Sequence, residues 1–244
     1  MSKVTVAGIE FDNLSMQETL VLINQRIIQR RKTVMTPVNV DCVVKAHEDE
    51  WYRKFIEKSD YIIADGMPIV WASKRGKNPL KERVTGADLL VEACKVASKH
   101  KWKIFFYGSA EGVAEEARKR LQEKYHCEIV GVYSPPFRGL TDQELDQIAA
   151  TVNAVDPDIM FVSLGAPKQE KFIEQNLHRF NCKVFIPCGA AVDFCAGVKK
   201  RAPRFIQQIG MEWCWRLLSE PKRLVKRYFV DDMKFFKIIL QTRD

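Results

Sequence analysis

The sequence predicts an α/β fold: a Rossmann-like, mainly parallel sheet with helices on both faces, followed by a basic helical appendage. Two patterns carry that expectation. From residue 61 onward, short apolar runs alternate with helix-length amphipathic stretches, the spacing of strand–helix–strand units in a parallel sheet. The formal charge is also uneven. Residues 199–244 hold 12 Lys and Arg against 5 Asp and Glu, a net of +7, whereas residues 1–198 hold 27 against 26, a net of +1. The change falls near Gly197–Pro203 and divides the chain into a core, 1–198, and an appendage, 199–244.

Taken in order, Val4–Phe11 alternates as a short strand. Ser15 with Glu18 forms a capping box opening a helix to about Arg31, with Leu20, Ile23, Ile27 and Ile28 on one face. A strand over Thr33–Thr36 runs into Pro37-Val38-Asn39, and residues 40 to about 58 read as helical. Tyr61–Ala64 is a buried strand that delivers Asp65, with Gly66 as the turn and Pro68 in the first turn of a helix. Thr85 is the expected cap of the next helix. Lys103–Tyr107 is a strand, and Gly108–Gly112 leads into a helix ending near Tyr125. Glu128–Tyr133 is a strand, followed by a Pro-Pro-Phe-Arg-Gly loop. Thr141 with Glu144 is a second capping box, opening a helix to about Val155. Asp158–Leu164 is a strand, Gly165-Ala166-Pro167 opens a helix with Pro167 at its first position, and Lys183–Pro187 is the last strand.

Composition is that of an ordinary globular chain, 46% hydrophobic and 29% charged. No window reaches the ~18–20 apolar residues of a membrane span. The first residues carry no apolar signal core, so the expected location is the cytoplasm. The seven cysteines are scattered, form no C-x-x-C pair and do not cluster with the four histidines. Structural zinc and a disulfide framework are therefore not expected, and the thiols read as small buried hydrophobes.

In open parallel sheets ligands bind at the carboxyl ends of strands, and that rule selects the chemistry-bearing residues. Asp65 suits a general base or a hydroxyl-binding carboxylate; capping the following helix is the alternative job for it. Gly108 and Gly112 flank a turn whose N–H groups can face phosphate, although ordinary strand–helix turns share that pattern. Gly165 permits close backbone approach, and Lys168 and Gln169 fall in the following first helical turn. A lysine there opposes the helix dipole, which a bound anion offsets; a solvated turn is the plainer reading. Arg83 suits two-pronged contact with phosphate oxygens, or a surface ion pair. The tail interleaves Trp213, Trp215, Leu224, Phe229 and Phe235 with Arg216, Lys222, Arg223 and Lys226. That suits an interfacial helix on anionic lipid, or a helix packed on its own domain with a solvated basic face. No nucleic-acid-binding module accompanies the charge, so nucleic acid is not an expected partner.

These stretches together resemble the WecG/TagA/CpsF glycosyltransferases. The matching motifs are Thr36-Pro37-Val38-Asn39-Val40-Asp41, Ala64-Asp65-Gly66-Met67-Pro68 and Glu82-Arg83-Val84-Thr85-Gly86-Ala87-Asp88. Tyr107-Gly108-Ser109 with Gly112-Val113 and Gly165-Ala166-Pro167-Lys168-Gln169-Glu170 follow. Asp193 through Lys200-Arg201-Ala202-Pro203, Glu212-Trp213 and Glu220-Pro221-Lys222-Arg223 complete a set in family order over nearly the whole chain. Cys188-Gly189-Ala190-Ala191 departs from a loop that is richer in glycine in the family.

The resemblance implies inverting transfer of N-acetylmannosamine from a UDP-sugar donor to the 4-hydroxyl of N-acetylglucosamine on undecaprenyl diphosphate, in teichoic acid linkage-unit synthesis. No metal and no other cofactor is expected. It implies Asp65 as catalytic base, Thr36, Asn39 and Gln169 as pocket residues and Arg83 as a phosphate contact. Gly108, Gly165, Lys168 and Asp193 lie in matching motifs and join the substrate-binding set. Arg216 and Arg223 fall in the appendage, which the resemblance implies completes the active site at the inner face of the cell membrane. Self-association in solution is a further implication. The physical requirement agrees: displacement at a sugar carbon needs a base on the acceptor and stabilisation of the departing diphosphate, here by arginines and helix N-termini. The competing readings are another donor, such as the uronic acid of UDP-N-acetylmannosamine, and a non-catalytic nucleotide-sugar or lipid-binding module. A protein that binds nucleic acid through the tail is a further rival, and it and the binding module both rank well below the transferase.

Overall fold

The computed structural model describes residues 2–203, 205–206, 210–219 and 233–242, with only the backbone described at Arg216 and Ser219. The strands are β1 (Lys3–Val6), β2 (Ile9–Asp12), β3 (Thr33–Val38), β4 (Tyr61–Ala64), β5 (Lys103–Gly108), β6 (Glu128–Tyr133), β7 (Ile159–Ser163) and β8 (Val184–Pro187). The last six form one sheet in the order β4-β3-β8-β7-β5-β6. Its ladders β3/β8, β8/β7, β7/β5 and β5/β6 are all parallel. Helices flank the sheet: α1 (Met16–Ile28), α2 (Val40–Glu48), α3 (Glu50–Lys58), α4 (Met67–Ser73) and α5 (Gly86–His100) come first. Then follow α6 (Val113–Tyr125), α7 (Asp142–Ala154), α8 (Lys168–Asn176) and α9 (Ala191–Cys195). The described tail holds α10 (Glu212–Ser219) and α11 (Met233–Gln241).

Four local details differ from the sequence-based expectation, each for a visible reason. Val4–Phe11 is a hairpin rather than one strand, because Ala7 (φ 53°) and Gly8 (φ 72°) both take the left-handed backbone of a tight two-residue turn. Val4, Val6, Ile9 and Phe11 all stay buried, the apolar alternation changing phase from even to odd positions across the turn. The stretch from Val40 to Lys58 is two helices. Asp49 leaves the helical conformation and its carboxylate accepts the N–H groups of Trp51 (2.9 Å) and Tyr52 (3.3 Å), starting α3 afresh. Helix α1 stops at Ile28, short of Arg31, and Arg30 turns to φ 50°. Pro167 stands at the cap position of α8, one residue before its first turn.

The chain divides into two compact units, one of residues 1–16, 36–85 and 200–244, the other of residues 17–35 and 86–199. In the first, the β1–β2 hairpin is tied to β4 through the Asp12 carboxylate, which accepts the Ile62 N–H at 2.9 Å. Asn13 donates to the Pro79 carbonyl (3.1 Å) and accepts from the Lys81 N–H (2.8 Å), fastening the segment that carries Arg83. Helix α11 packs on α2 through the buried Phe235, and Lys234 pairs with Glu48. In the second unit, β7 is buried along its whole length, as a central strand covered on both faces must be. Phe106, Phe161, Phe180 and Phe185 fill its core, with Phe106 and Phe161 edge to face at 6.3 Å.

Candidate active site

In the first unit the end of β4 presents Asp65. Its N–H donates to the Val38 carbonyl at 2.9 Å, and the Ala64 carbonyl accepts the Val84 N–H at 2.8 Å. The strand end is thus held by the end of β3 on one side and by the residue after Arg83 on the other. The cap position of α4 falls to Gly66 (φ 144°), the residue after Asp65, with no side-chain capping bond from Gly66 itself. Thr36 is fully buried, its hydroxyl 2.7 Å from that of Ser59. Because Ser59 donates its own proton to the Phe55 carbonyl, Thr36 is the donor in that pair. Asn39 caps α2, its side-chain oxygen accepting the Cys42 N–H at 3.1 Å. Arg83 reaches Glu212: its Nη1 lies 3.1 Å from Oε2, and the other oxygen, Oε1, takes the Nε of Arg201 at 3.3 Å. Arg216 lies on α10 with its side chain outside the described residues, and Arg223 lies outside them altogether. A cavity of ≈ 420 Å³ in this unit, lined by Lys3, Thr5, Arg75, Lys77, Ile239 and Thr242 among others, contains none of these residues.

In the second unit the carboxyl ends of β5, β7 and β8 are stitched together by small residues. Gly108 (φ 114°) lies so close to β7 that a Cβ would sit 2.4 Å from the Ser163 carbonyl oxygen. Ser109 donates its N–H to that carbonyl at 2.8 Å and its hydroxyl to the Ser163 hydroxyl at 3.1 Å; Ser163 in turn donates to the Gly189 carbonyl. Gly112 then caps α6 with left-handed backbone. At Gly165 (φ 76°) nothing lies within 4 Å of an added Cβ, so backbone conformation rather than crowding calls for glycine there. Lys168 is exposed in the first turn of α8, and Gln169 beside it is buried. The Gln169 oxygen accepts the Gly189 N–H at 3.0 Å, and its amide nitrogen donates to Glu170 at 2.9 Å. This side chain, expected in a pocket, also fixes the loop after β8. Beneath it Phe172 stacks on Tyr107 at 4.0 Å, joining α8 to the end of β5. Asp193 pairs with Lys199 at 2.8 Å.

Sequence reasoning passed over Ser109, Ser163, Glu170, Arg201 and Glu212 as individual site residues. Ser109, Arg201 and Glu212 stand inside motifs already quoted, but their partners are distant in sequence and no local pattern names them. Sequence reasoning counted no D-x-D, but Asp156-Pro157-Asp158 spells one, the pattern of a metal-binding carboxylate pair in sugar-nucleotide enzymes. It lies just before β7, at the opposite end of that strand from Ser163, and both carboxylates face Lys183, at 2.9 and 3.6 Å. Asp158 also accepts the Lys103 N–H at 3.0 Å, so the pair serves the start of the sheet. Among the described residues no three His, Cys, Asp or Glu side chains are placed to hold a metal ion together, and no helix is long and apolar enough to cross a membrane.

A six-stranded, mostly parallel sheet flanked by helices, with glycine turns at its strand ends, defines a Rossmann-like α/β protein. Residues 4–244 match the glycosyl transferase WecG/TagA/CpsF family, and the chain belongs to that family of enzymes. It is 31% identical over 225 residues to proteins from Staphylococcus aureus strains MRSA252, MW2 and NCTC 8325 / PS 47, covering 91% of this chain and 87% of each relative. Each of those proteins is named N-acetylglucosaminyldiphosphoundecaprenol N-acetyl-beta-D-mannosaminyltransferase.

Proposed function

We propose that this glycosyltransferase moves N-acetylmannosamine from UDP-N-acetylmannosamine to the 4-hydroxyl of N-acetylglucosamine on undecaprenyl diphosphate, with inversion, in making a teichoic acid linkage unit. The 31% identity over 91% of the chain to transferases of that name carries the reading. Asp65, at the end of β4, takes the proton of the acceptor hydroxyl as its oxygen bonds to the anomeric carbon. The bond from that carbon to the diphosphate oxygen breaks, and its electron pair leaves with UDP. In-line attack turns an α-linked donor into a β-linked product, the linkage in the relatives' name. Gly108, Gly165 and Lys168 receive diphosphate at glycine turns and a helix N-terminus, while Thr36, Asn39, Gln169 and Asp193 shape the sugar and nucleotide pockets. Arg83, Arg216 and Arg223 offset the charge on the leaving group. The basic residues of 199–244 dock the enzyme peripherally on the anionic inner face of the cell membrane, each Lys or Arg there contributing ~1 kcal/mol. Docking also disperses a self-associated form present in solution.

The test is UDP release with and without the lipid-linked acceptor, for the natural chain and for Asp65→Asn. Acceptor-dependent release that falls by roughly 10²–10⁴ in the variant, with UDP binding retained, is expected. Undiminished turnover by Asp65→Asn would remove the base from the mechanism. A donor panel that includes the uronic acid assigns the sugar, and UDP binding without release from any donor would favour a binding module.

A further inference from the structure

We propose that the cavity of ≈ 420 Å³ in the first unit seats the phosphate of an anionic glycerophospholipid headgroup, with Arg75, Lys77 and Lys3 as its cations. Small-molecule pockets span ~300–1,000 Å³, and this one includes none of the residues assigned to sugar transfer. The lipid as source of the phosphate rests on the reading that the chain docks on an anionic membrane. The anion site itself rests on geometry.

Lys74-Arg75-Gly76-Lys77-Asn78-Pro79-Leu80-Lys81 gathers four cations and no acid in a core that is otherwise close to neutral. The run lies between two of the matching motifs and belongs to neither. Buried Ser73 donates to the Val70 carbonyl at 2.7 Å and accepts the Leu80 N–H at 3.0 Å, so the loop after α4 closes on one hydroxyl. The N–H groups of Lys74, Arg75 and Gly76 bond back to the carbonyls of Trp71, Ala72 and Ser73. The end of α4 is thereby satisfied without the basic side chains. Among the described residues, the Arg75 and Lys77 side chains have no ion pair or hydrogen bond. Lys3 and Thr5 are the exposed residues of β1, and Lys3 pairs with the exposed Glu10 at 3.5 Å. No described Asp or Glu lines the cavity. A solvated basic loop is the plainer alternative. It does not account for a third cation brought from another element onto the same concavity, where one sign of charge concentrates the field.

The neighbouring helix points to a lipid. Helix α11 gives Ile239 and Thr242 to the cavity and buries Phe235 against α2. Met233, Phe236 and Leu240, at i, i+3 and i+7, form a second apolar stripe on it, each of them half or more exposed. One helix therefore borders the cations and also offers apolar side chains to the outside. A phosphate ester carrying acyl chains satisfies both features, whereas a soluble phosphate satisfies only the first.

The experiment uses the full chain and reads binding without turnover. Flotation is measured with vesicles of phosphatidylcholine alone and of an equal mixture of phosphatidylcholine and phosphatidylglycerol. Arg75→Ala/Lys77→Ala is compared with Lys99→Ala/Lys119→Ala, which removes the same charge from exposed positions of the second unit. The natural chain is expected to bind only the mixed vesicles. The first variant should bind them roughly 10- to 30-fold more weakly, and the second within about twofold of the natural chain. In parallel, glycerol phosphate and inorganic phosphate are titrated against the isotopically labelled chain. Amide shifts at Thr5, Gly76 and Thr242 with glycerol phosphate, absent in Arg75→Ala/Lys77→Ala, are expected. If the double variant loses its fold by circular dichroism, Arg75→Gln and Lys77→Gln singly take its place. Equal vesicle binding by all the proteins would overturn the lipid seat and leave docking by the tail standing; with phosphate shifts at the cavity, it would assign the site to a soluble phosphate ester instead. Vesicle binding lost without any shift at the cavity would reduce the cations to a diffuse patch and overturn the seat. A natural chain that binds neither kind of vesicle counts against the docking reading, and with it the lipid.

Discussion

Replacing Gly108 with alanine should destabilise the protein far more than the same change at Gly112, although both glycines have left-handed backbone, φ 114° and 76°. At Gly112 an added Cβ meets nothing within 4 Å, so only the conformational cost applies, about 1 kcal/mol. At Gly108 the methyl group would lie 2.4 Å from the Ser163 carbonyl oxygen, 2.6 Å from its carbon and 3.1 Å from the Leu164 side chain. Two of those atoms are backbone and cannot swing aside. Relief requires β5 and β7 to part where Gly108 is in register with Ser163, at the expense of the 2.8 Å bond from the Ser109 N–H. Backbone strain of ~1–3 kcal/mol and overpacking of ~1–3 kcal/mol together give roughly 2–6 kcal/mol. Urea unfolding followed by far-UV circular dichroism measures the difference, with hydrogen exchange at the β5 and β7 amides showing where it acts. Equal midpoints for Gly108→Ala and Gly112→Ala would refute the steric argument and leave backbone conformation as the whole cause.

Three further outcomes follow from the hydrogen bonds. The Glu144 carboxyl is held down to about 2, first by its bond with Arg138 and then by the Thr141 N–H. A depressed carboxylate stabilises the fold above its unfolded value and loses that contribution as pH falls through the folded one, so Glu144→Gln should flatten the loss of stability between about pH 4.5 and 2. Identical acid titrations of the two proteins, read as melting temperature against pH, would contradict this. Gln169→Leu strips partners from the Gly189 N–H and from Glu170 and should cost roughly 2–4 kcal/mol in urea unfolding. Gln169→Glu should be worse at neutral pH, where two carboxylates are forced together, and should recover as pH falls; a deficit that does not change with pH would speak against that cause.

The legible parts of this molecule are those whose cause is local. Ile159–Val162 reads as a strand because burial on both faces turns it into an unbroken apolar run, and Thr141 with Glu144 reads as a helix start because the reciprocal bonds span three residues. The Ala7-Gly8 reversal escaped because a single change of phase, from Val4 and Val6 to Ile9 and Phe11, is its whole mark in so short a segment, and Asp49 because a capping aspartate looks like any exposed helical one until the backbone turns. The charged site residues escaped for a different reason. Arg83 is named by its motif, yet its partner Glu212 lies 129 residues away, and Arg201 shares that partner from the other side. A guanidinium alone reads equally as a phosphate contact or a surface ion pair. The pairing of Arg83 with Glu212, which Arg201 shares, makes it a part-buried ion pair rather than a surface one. The D-x-D at Asp156 shows the converse, a spelling that suggests a metal until Lys183 is found facing both carboxylates at the start of β7. For an ionisable residue the chemistry is set by the opposing group, and the opposing group is supplied by the fold.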